Sequence, residues 1–365
     1  MKTTNLFPIT FVGLALLAAA CSSDTSTPTP TKTDAEFKTE ITASMTKNIG
    51  ASLTEFRVAV TELQTAAPAP QGRGWDKTLD ADAIAKMKAA WTKARAAYEL
   101  VEGAIAPIFP DLDAAVDERY DGFLANLAGK GDDDLFDDQG VTGMHGVERI
   151  LFSDAQPAEV VTFEKTLPGY KAAAFPATEV EATEFKTKLC QKLVADVTTM
   201  EKQWQPAQID LGGAFQGLIG LMNEQKEKVN KASNGTEESR YAQTTMLDLR
   251  KNLEGTKKAY LFFQAWVLSK PNDKDPTHSG ANVDKAILAG FAKLEQLYLA
   301  YPGDAIPKPP ATWSSANPSP ADLETPFGKL WTGVHDAVDV TKQGSIVDEM
   351  NDSADLLGFP QFKAK

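Results

Sequence analysis

Cysteine and histidine are the scarcest chemical resources of this chain: two cysteines, Cys21 and Cys190, and three histidines in 365 residues. So few cysteines exclude a disulfide framework and a metal site built on thiolates. The histidines, His145, His278 and His335, are far apart, and the His-Glu-x-x-His pattern of many zinc enzymes is absent. Positive charge is also short, with 37 Lys and Arg against 50 Asp and Glu and a net charge of −13. That balance removes nucleic acid and anionic headgroups as partners of the protein body and leaves cations as its natural ligands. No stretch alternates apolar and polar residues for long enough to build a sheet. The apolar run from Phe11 to Ala20 is too short to cross a bilayer.

What is present begins with that run. Residues 1–20 have the form of a secretory signal, and the small residues before Cys21 resemble the cleavage box of a bacterial lipoprotein. Cys21 is then the lipidated first residue of the mature chain, facing the periplasm or the outside. An ordinary signal cut near Ala20, with an incidental cysteine, stays open. Residues 21–34 are rich in Ser, Thr, Pro and Asp and read as a disordered tether.

Beyond the tether, apolar residues recur at helical spacing. Val283, Ile287, Phe291, Leu294 and Tyr298 make one stripe, and Leu249, Leu253, Tyr260, Phe263 and Val267 another. The pattern predicts an all-α protein with helices over about 35–65, 80–106, 111–128, 141–152, 178–204, 207–232, 237–269, 282–300, 324–338 and 344–356. Proline and glycine punctuate the breaks, and the length favours two helical lobes, residues 35–205 and 206–365.

The segment Gly143-Met144-His145-Gly146-Val147-Glu148 carries the most chemistry. A helix sets His145 and Glu148 on one face, where an imidazole and a carboxylate can share a metal ion. Acids crowd the region upstream: Glu99 and Glu102 at i, i+3, then Asp111, Asp113, Asp117 and Glu118. Carboxylates around one imidazole suit a hard or borderline cation. The run Asp132 to Asp138 reads as an exposed loop without ligand spacing, and His278 and His335 as structural.

Further signals lie in Trp91-x-x-x-Arg95-x-x-Tyr98-Glu99-x-x-Glu102, Asp111-Leu112-Asp113 with Asp117-x-Arg119, and Thr142-Gly143-x-His145-x-x-Glu148. They continue in Gly235-Thr236-Glu237-Glu238-Ser239-Arg240-Tyr241 and Leu249-x-x-Asn252-Leu253-Glu254-Gly255. In this order they resemble the imelysin-like proteins, and within them the metal-binding domain of the EfeO and EfeM type associated with bacterial iron uptake. The resemblance implies two bundle-like lobes with a metal site in the cleft between them. It places metal ligands or near-site acids on Glu99, Glu102, Asp117, His145, Glu148 and Glu237, with Glu238 able to trade roles with Glu237. Two departures stand out: a long stretch between Asp117 and His145, and Ser239 where a third acid is common. The chain is similar to the single-domain lipoprotein form.

The function this implies is an envelope lipoprotein that captures iron, as Fe(III) or Fe(II), and passes it to an iron permease. Zinc, copper and calcium remain open as the metal. Two other classes stay beside it. Imelysin-like proteins have been classed as metallopeptidases, although Arg149 stands where an inverted His-x-x-Glu-His motif needs its second histidine. The third class is a polysaccharide-binding protein using the interlobe cleft.

Overall fold

The structure, a computed structural model, describes residues 32–363 apart from 206 and 273. The signal segment, Cys21 and nearly all of the tether lie outside the described residues. Helix α1 (Asp34–Ala66) is the longest, about 50 Å at 1.5 Å per residue. Its buried stripe of Phe37, Ile41, Met45, Ile49, Leu53, Phe56, Val60 and Leu63 explains why it stays helical throughout.

The helices that follow are α2 (Ala81–Glu99), α3 (Glu102–Ile105), α4 (Pro110–Asp117), α5 (Tyr120–Asn126), α6 (Gly143–Leu151) and α7 (Ala158–Glu164). Next come α8 (Glu179–Glu184), which runs through a π-helical turn at Phe185–Leu189 into α9 (Cys190–Trp204), then α10 (Leu211–Lys231) and α11 (Thr245–Leu268). The last four are α12 (Gly280–Leu299), α13 (Pro320–Leu323), α14 (Pro326–Val338) and α15 (Ile346–Leu357). No strand occurs among the described residues, so the fold is all-α as the pattern predicts. No described helix is long and apolar enough to cross a membrane.

Several boundaries differ from expectation. The helix expected over 80–106 breaks after Glu99, the one over 111–128 breaks at Glu118 and Arg119, and the one over 237–269 begins only at Thr245. Helices α7 and α13 escaped the pattern because each is under two turns long. The acidic run is also less exposed than expected. Asp132 is buried and accepts the backbone N–H of Val141 at 2.9 Å, which folds the loop back on the start of α6.

Asp34–Lys365 forms one compact unit. The turn between α9 and α10 falls at the expected lobe boundary, yet one apolar core runs past it, joining Phe56 and Trp91 from the first half to Phe215 and Tyr260 from the second. Helix α1 packs on α2, α9 and α11, and Trp266 of α11 donates its indole N–H to Asp34 at 2.7 Å.

Candidate functional site

The site forms where α2, α4, α6, α10, α11 and the turn before α11 converge. Asp117 is the last residue of α4, and His145 lies in the first turn of α6. Gly143 makes that approach possible: its φ is +71°, and a Cβ there would sit 2.6 Å from the Val116 carbonyl oxygen. Trp91 of α2 donates its indole N–H to the Met144 carbonyl at 2.9 Å and holds α6 from the other side.

His145 is 1% exposed. Its Nδ1 meets Glu148 Oε2 at 2.7 Å. The other oxygen of Glu148 accepts the backbone N–H groups of Tyr241 and Ala242 at 3.0 and 2.8 Å. One carboxylate therefore orients the imidazole and fixes the turn that follows Glu238. The free ring nitrogen, Nε2, lies 3.4 Å from Asp117 Oδ1 and 3.8 Å from Glu238 Oε1, and makes no hydrogen bond. Asp117, His145 and Glu238 each offer one donor atom within 4.8 Å of the others, a spacing that could hold a metal ion.

Buried cations balance these acids. Arg95 is fully buried and forms close ion pairs with Glu99 and Asp117, with Asp248 at 3.4 Å and Glu238 at 3.5 Å. Lys228 of α10 reaches Glu99 at 3.3 Å, Glu102 at 3.4 Å and Glu238 at 3.9 Å. Asn252 of α11 donates to Glu99 and, at 2.9 Å, to Glu102. It also takes the Glu99 carbonyl at 3.1 Å, an acceptor freed by the break after α2. Removing one member of so buried a network costs roughly 3–5 kcal/mol, because the remaining charge stays unpaired.

Protonation follows from this packing. Burial pushes Glu99 well above the usual carboxylate range, with Arg95 and Lys228 pulling the other way. Burial also works against the charged forms of Asp117 and Glu238. Arg95 and His145 nonetheless hold Asp117 below its ordinary value, and Lys228, His145 and Arg119 hold Glu238 well below. For His145, burial favours the neutral ring, but Asp117, Glu148 and Glu238 overcome it and raise its pKa well above the ordinary value. The triad thus sets two carboxylates, held below their ordinary range, against an imidazole raised above its own, an arrangement that favours positive charge between them.

The residues singled out in the sequence fall into three groups. Asp117 and His145 face each other. Glu99, Glu102 and Glu148 surround them, with their oxygens engaged by Arg95, Lys228 and Asn252 or by the 241–242 backbone. Glu237 turns away and accepts Gln243 Nε2 at 2.8 Å, and burial raises its pKa to about 7. Its neighbour Glu238 takes the place beside His145. Asp248 and Lys228 were not singled out in the sequence. Asp248 is held by Ser239 Oγ at 2.6 Å, so the serine that departs from the family pattern serves the same cluster. The only signal for either was its place within a helix, four residues before Asn252 or on an otherwise amphipathic α10.

A cavity of about 310 Å³ opens onto this cluster, lined by Asp117, Glu238, Glu102 and Glu224 together with Arg119 and Lys228.

Comparison with known proteins bears on this geometry. A family model described as imelysin, peptidase M75, matches residues 49–301. The iron uptake system component EfeO of Escherichia coli O1:K1 is 25% identical over 211 residues, 58% of this chain and 45% of that protein. The proteins of the same name from Escherichia coli K12 and Shigella flexneri are 24% identical over the same length and coverage. The chain thus spans less than half the length of these relatives.

Proposed function

The chain belongs to the imelysin family, and from that premise we propose that it captures a metal ion, iron before others, for a bacterial uptake system. The observation that carries this reading is the convergence of Asp117, His145 and Glu238 around the buried Nε2. The names of its EfeO relatives, components of an iron uptake system, support iron as the cargo and further uptake components as partners. One imidazole and two carboxylates suit Fe(II) or Fe(III), and zinc fits the same donors.

Each residue has a defined task. Asp117 and Glu238 supply oxygen donors, and His145 supplies Nε2. Glu148, by holding Nδ1–H, points the Nε2 lone pair toward the cation, which is the part of a second ligand shell. Arg95 and Lys228 keep the remaining acids folded together before a cation arrives. Binding displaces the His145 proton, so uptake is coupled to pH. Capture is favoured over peptide hydrolysis because Arg149, placed where a second histidine would be needed, turns to Glu164 at 2.9 Å. Casein incubated with iron- or zinc-loaded protein should therefore remain intact.

His145→Ala should weaken iron binding by more than about tenfold, or 1.4 kcal/mol, with helical content unchanged, in a competition titration against a chromogenic chelator. Equal affinity in wild type and variant would remove the triad as the site. Anchoring through a lipid on Cys21 is part of the same reading, the polar residues after it acting as a tether. Cys21→Ser should release the protein from the membrane fraction, and quantitative recovery with membranes would count against the anchor.

A further inference from the structure

Among the described residues, the partners of the Glu238 carboxylate all stand at a distance: Arg95, Arg119, His145 and Lys228 lie 3.5 to 3.9 Å away. Contacts of that length steer a carboxylate without fixing it. Its place beside His145 is therefore set by its backbone, in the turn that precedes α11. Of the three triad members it alone lies outside a helix, so the anchoring of this turn decides where the third donor stands.

Tyr241, three residues further on and 2% exposed, is held at both ends. Its backbone N–H donates to Glu148 Oε1 at 3.0 Å. Its phenol donates to Oε1 of Glu164, the last residue of α7, in a close hydrogen bond. Glu164 is fully buried and takes Arg149 Nη2 at 2.9 Å on its other oxygen. Arg149 is fixed in turn, with its guanidinium 3.8 Å over the Tyr120 ring and a further hydrogen bond to the Lys171 carbonyl. Two successive residues of α6, Glu148 and Arg149, thus grip one tyrosine, the first directly and the second through Glu164. The start of the turn rests on α7 as well: Gly235 has φ +74°, and a Cβ there would lie 2.9 Å from the Glu159 carbonyl. Burial and the Glu164 charge raise the Tyr241 pKa well above its ordinary value, so the phenol remains a donor.

A binding site must hold its donors to within about 0.5 Å of the productive geometry, and the residues that lock them need not touch the ligand. We propose that Tyr241, through its bond to Glu164 and Arg149, is the positioning residue that presents Glu238 to the cation. The inference rests on the metal-capture reading. It gives Arg149 a part in that reading: the residue standing where a second histidine would serve hydrolysis braces the turn that carries a metal ligand.

The test is a double-mutant cycle on the purified full chain, with Fe(II) affinity measured under argon by chelator competition. Tyr241→Phe removes one hydroxyl, keeps the ring in place, and should weaken binding about tenfold with helical content unchanged. In a Glu238→Ala background the same change should cost less than about twofold, because no carboxylate is left for the phenol to place. Equal losses in the two backgrounds would show that Tyr241 supports the fold alone. Unchanged affinity in Tyr241→Phe would show that the turn holds Glu238 without the phenol. Either result overturns the proposal and leaves metal capture standing. Should Tyr241→Phe fail to fold, the cycle runs with Arg149→Lys, which keeps the charge beside Glu164 but loses the fork, and the same two outcomes decide. Wild type without measurable iron binding removes the capture reading and the positioning role with it.

Discussion

At the scale of single residues, Glu237 and Glu238 show how little chemical identity says about role. Both are buried glutamates in one turn. Gln243, held with φ at +56°, clasps the Glu237 carboxylate and also hydrogen-bonds the Arg240 carbonyl at 2.9 Å. That clasp leaves Glu238 facing His145, Arg95 and Lys228. Glu238→Gln should therefore lower iron affinity by about a hundredfold, or 2.7 kcal/mol, whereas Glu237→Gln should change it less than about threefold. Parallel titrations of the two variants decide the matter, and a larger loss for Glu237→Gln would reverse the assignment. The third carboxylate, Glu148, differs again, because both of its oxygens are already committed to His145 and to the 241–242 backbone.

At the scale of elements, the interruption between α2 and α3 matters most for the site. It frees the Glu99 carbonyl for Asn252, and it lets Glu99 and Glu102 both reach Lys228. Helix α11 can approach this break because it carries Gly255. A Cβ at Gly255 would lie 2.1 Å from the Leu100 carbonyl oxygen. In an open helix interior, glycine to alanine gains up to about 1 kcal/mol from propensity. Here the clash is with backbone that cannot rotate aside, and overpacking of this kind costs about 1–3 kcal/mol. Gly255→Ala should thus destabilise the protein in urea unfolding and also weaken iron binding by shifting Asn252. A variant of higher stability would mean that the Leu100 segment yields easily.

At the scale of the whole molecule, the proposed cation site is drawn from α4 and α6 in the first half and from the turn before α11 in the second. An ion bound there would tie these segments together, so on this proposal ligand binding and global stability are linked. With iron at about 100 times its Kd, the gain is about 2.7 kcal/mol, a rise of a few degrees in Tm. The sign of its pH dependence follows from His145. Its folded pKa is raised, so the imidazolium contribution to the metal-free fold is complete below the unfolded value of about 6.5 and is lost as pH rises through the folded value. The cation replaces that proton, so the metal-induced Tm shift should grow between about pH 6 and pH 8. Calorimetry with and without iron across that range checks this, and a shift independent of pH would show that His145 releases no proton on binding.

Helix periodicity is local, a relation between residues three and four apart, and what depended on it was legible in the sequence. The all-helical class, the buried stripes of α11 and α12, and the pairing of His145 with Glu148 all came from that spacing. So did the nearness of Glu99 and Glu102 to each other. The resemblance in motif order brought Asp117 to the same place as His145. Which of Glu237 and Glu238 faces His145 was not legible, because the helix expected from residue 237 is a turn until Thr245, and a turn directs successive side chains by its own hydrogen bonds. Nor was the arrival of Lys228 and Asp248 beside Arg95, across more than 130 residues of chain. Their positions on α10 and α11 look like ordinary helix surface until packing turns them inward. Burial is a property of how helices meet, so the charge balance of the site was decided only by the tertiary structure.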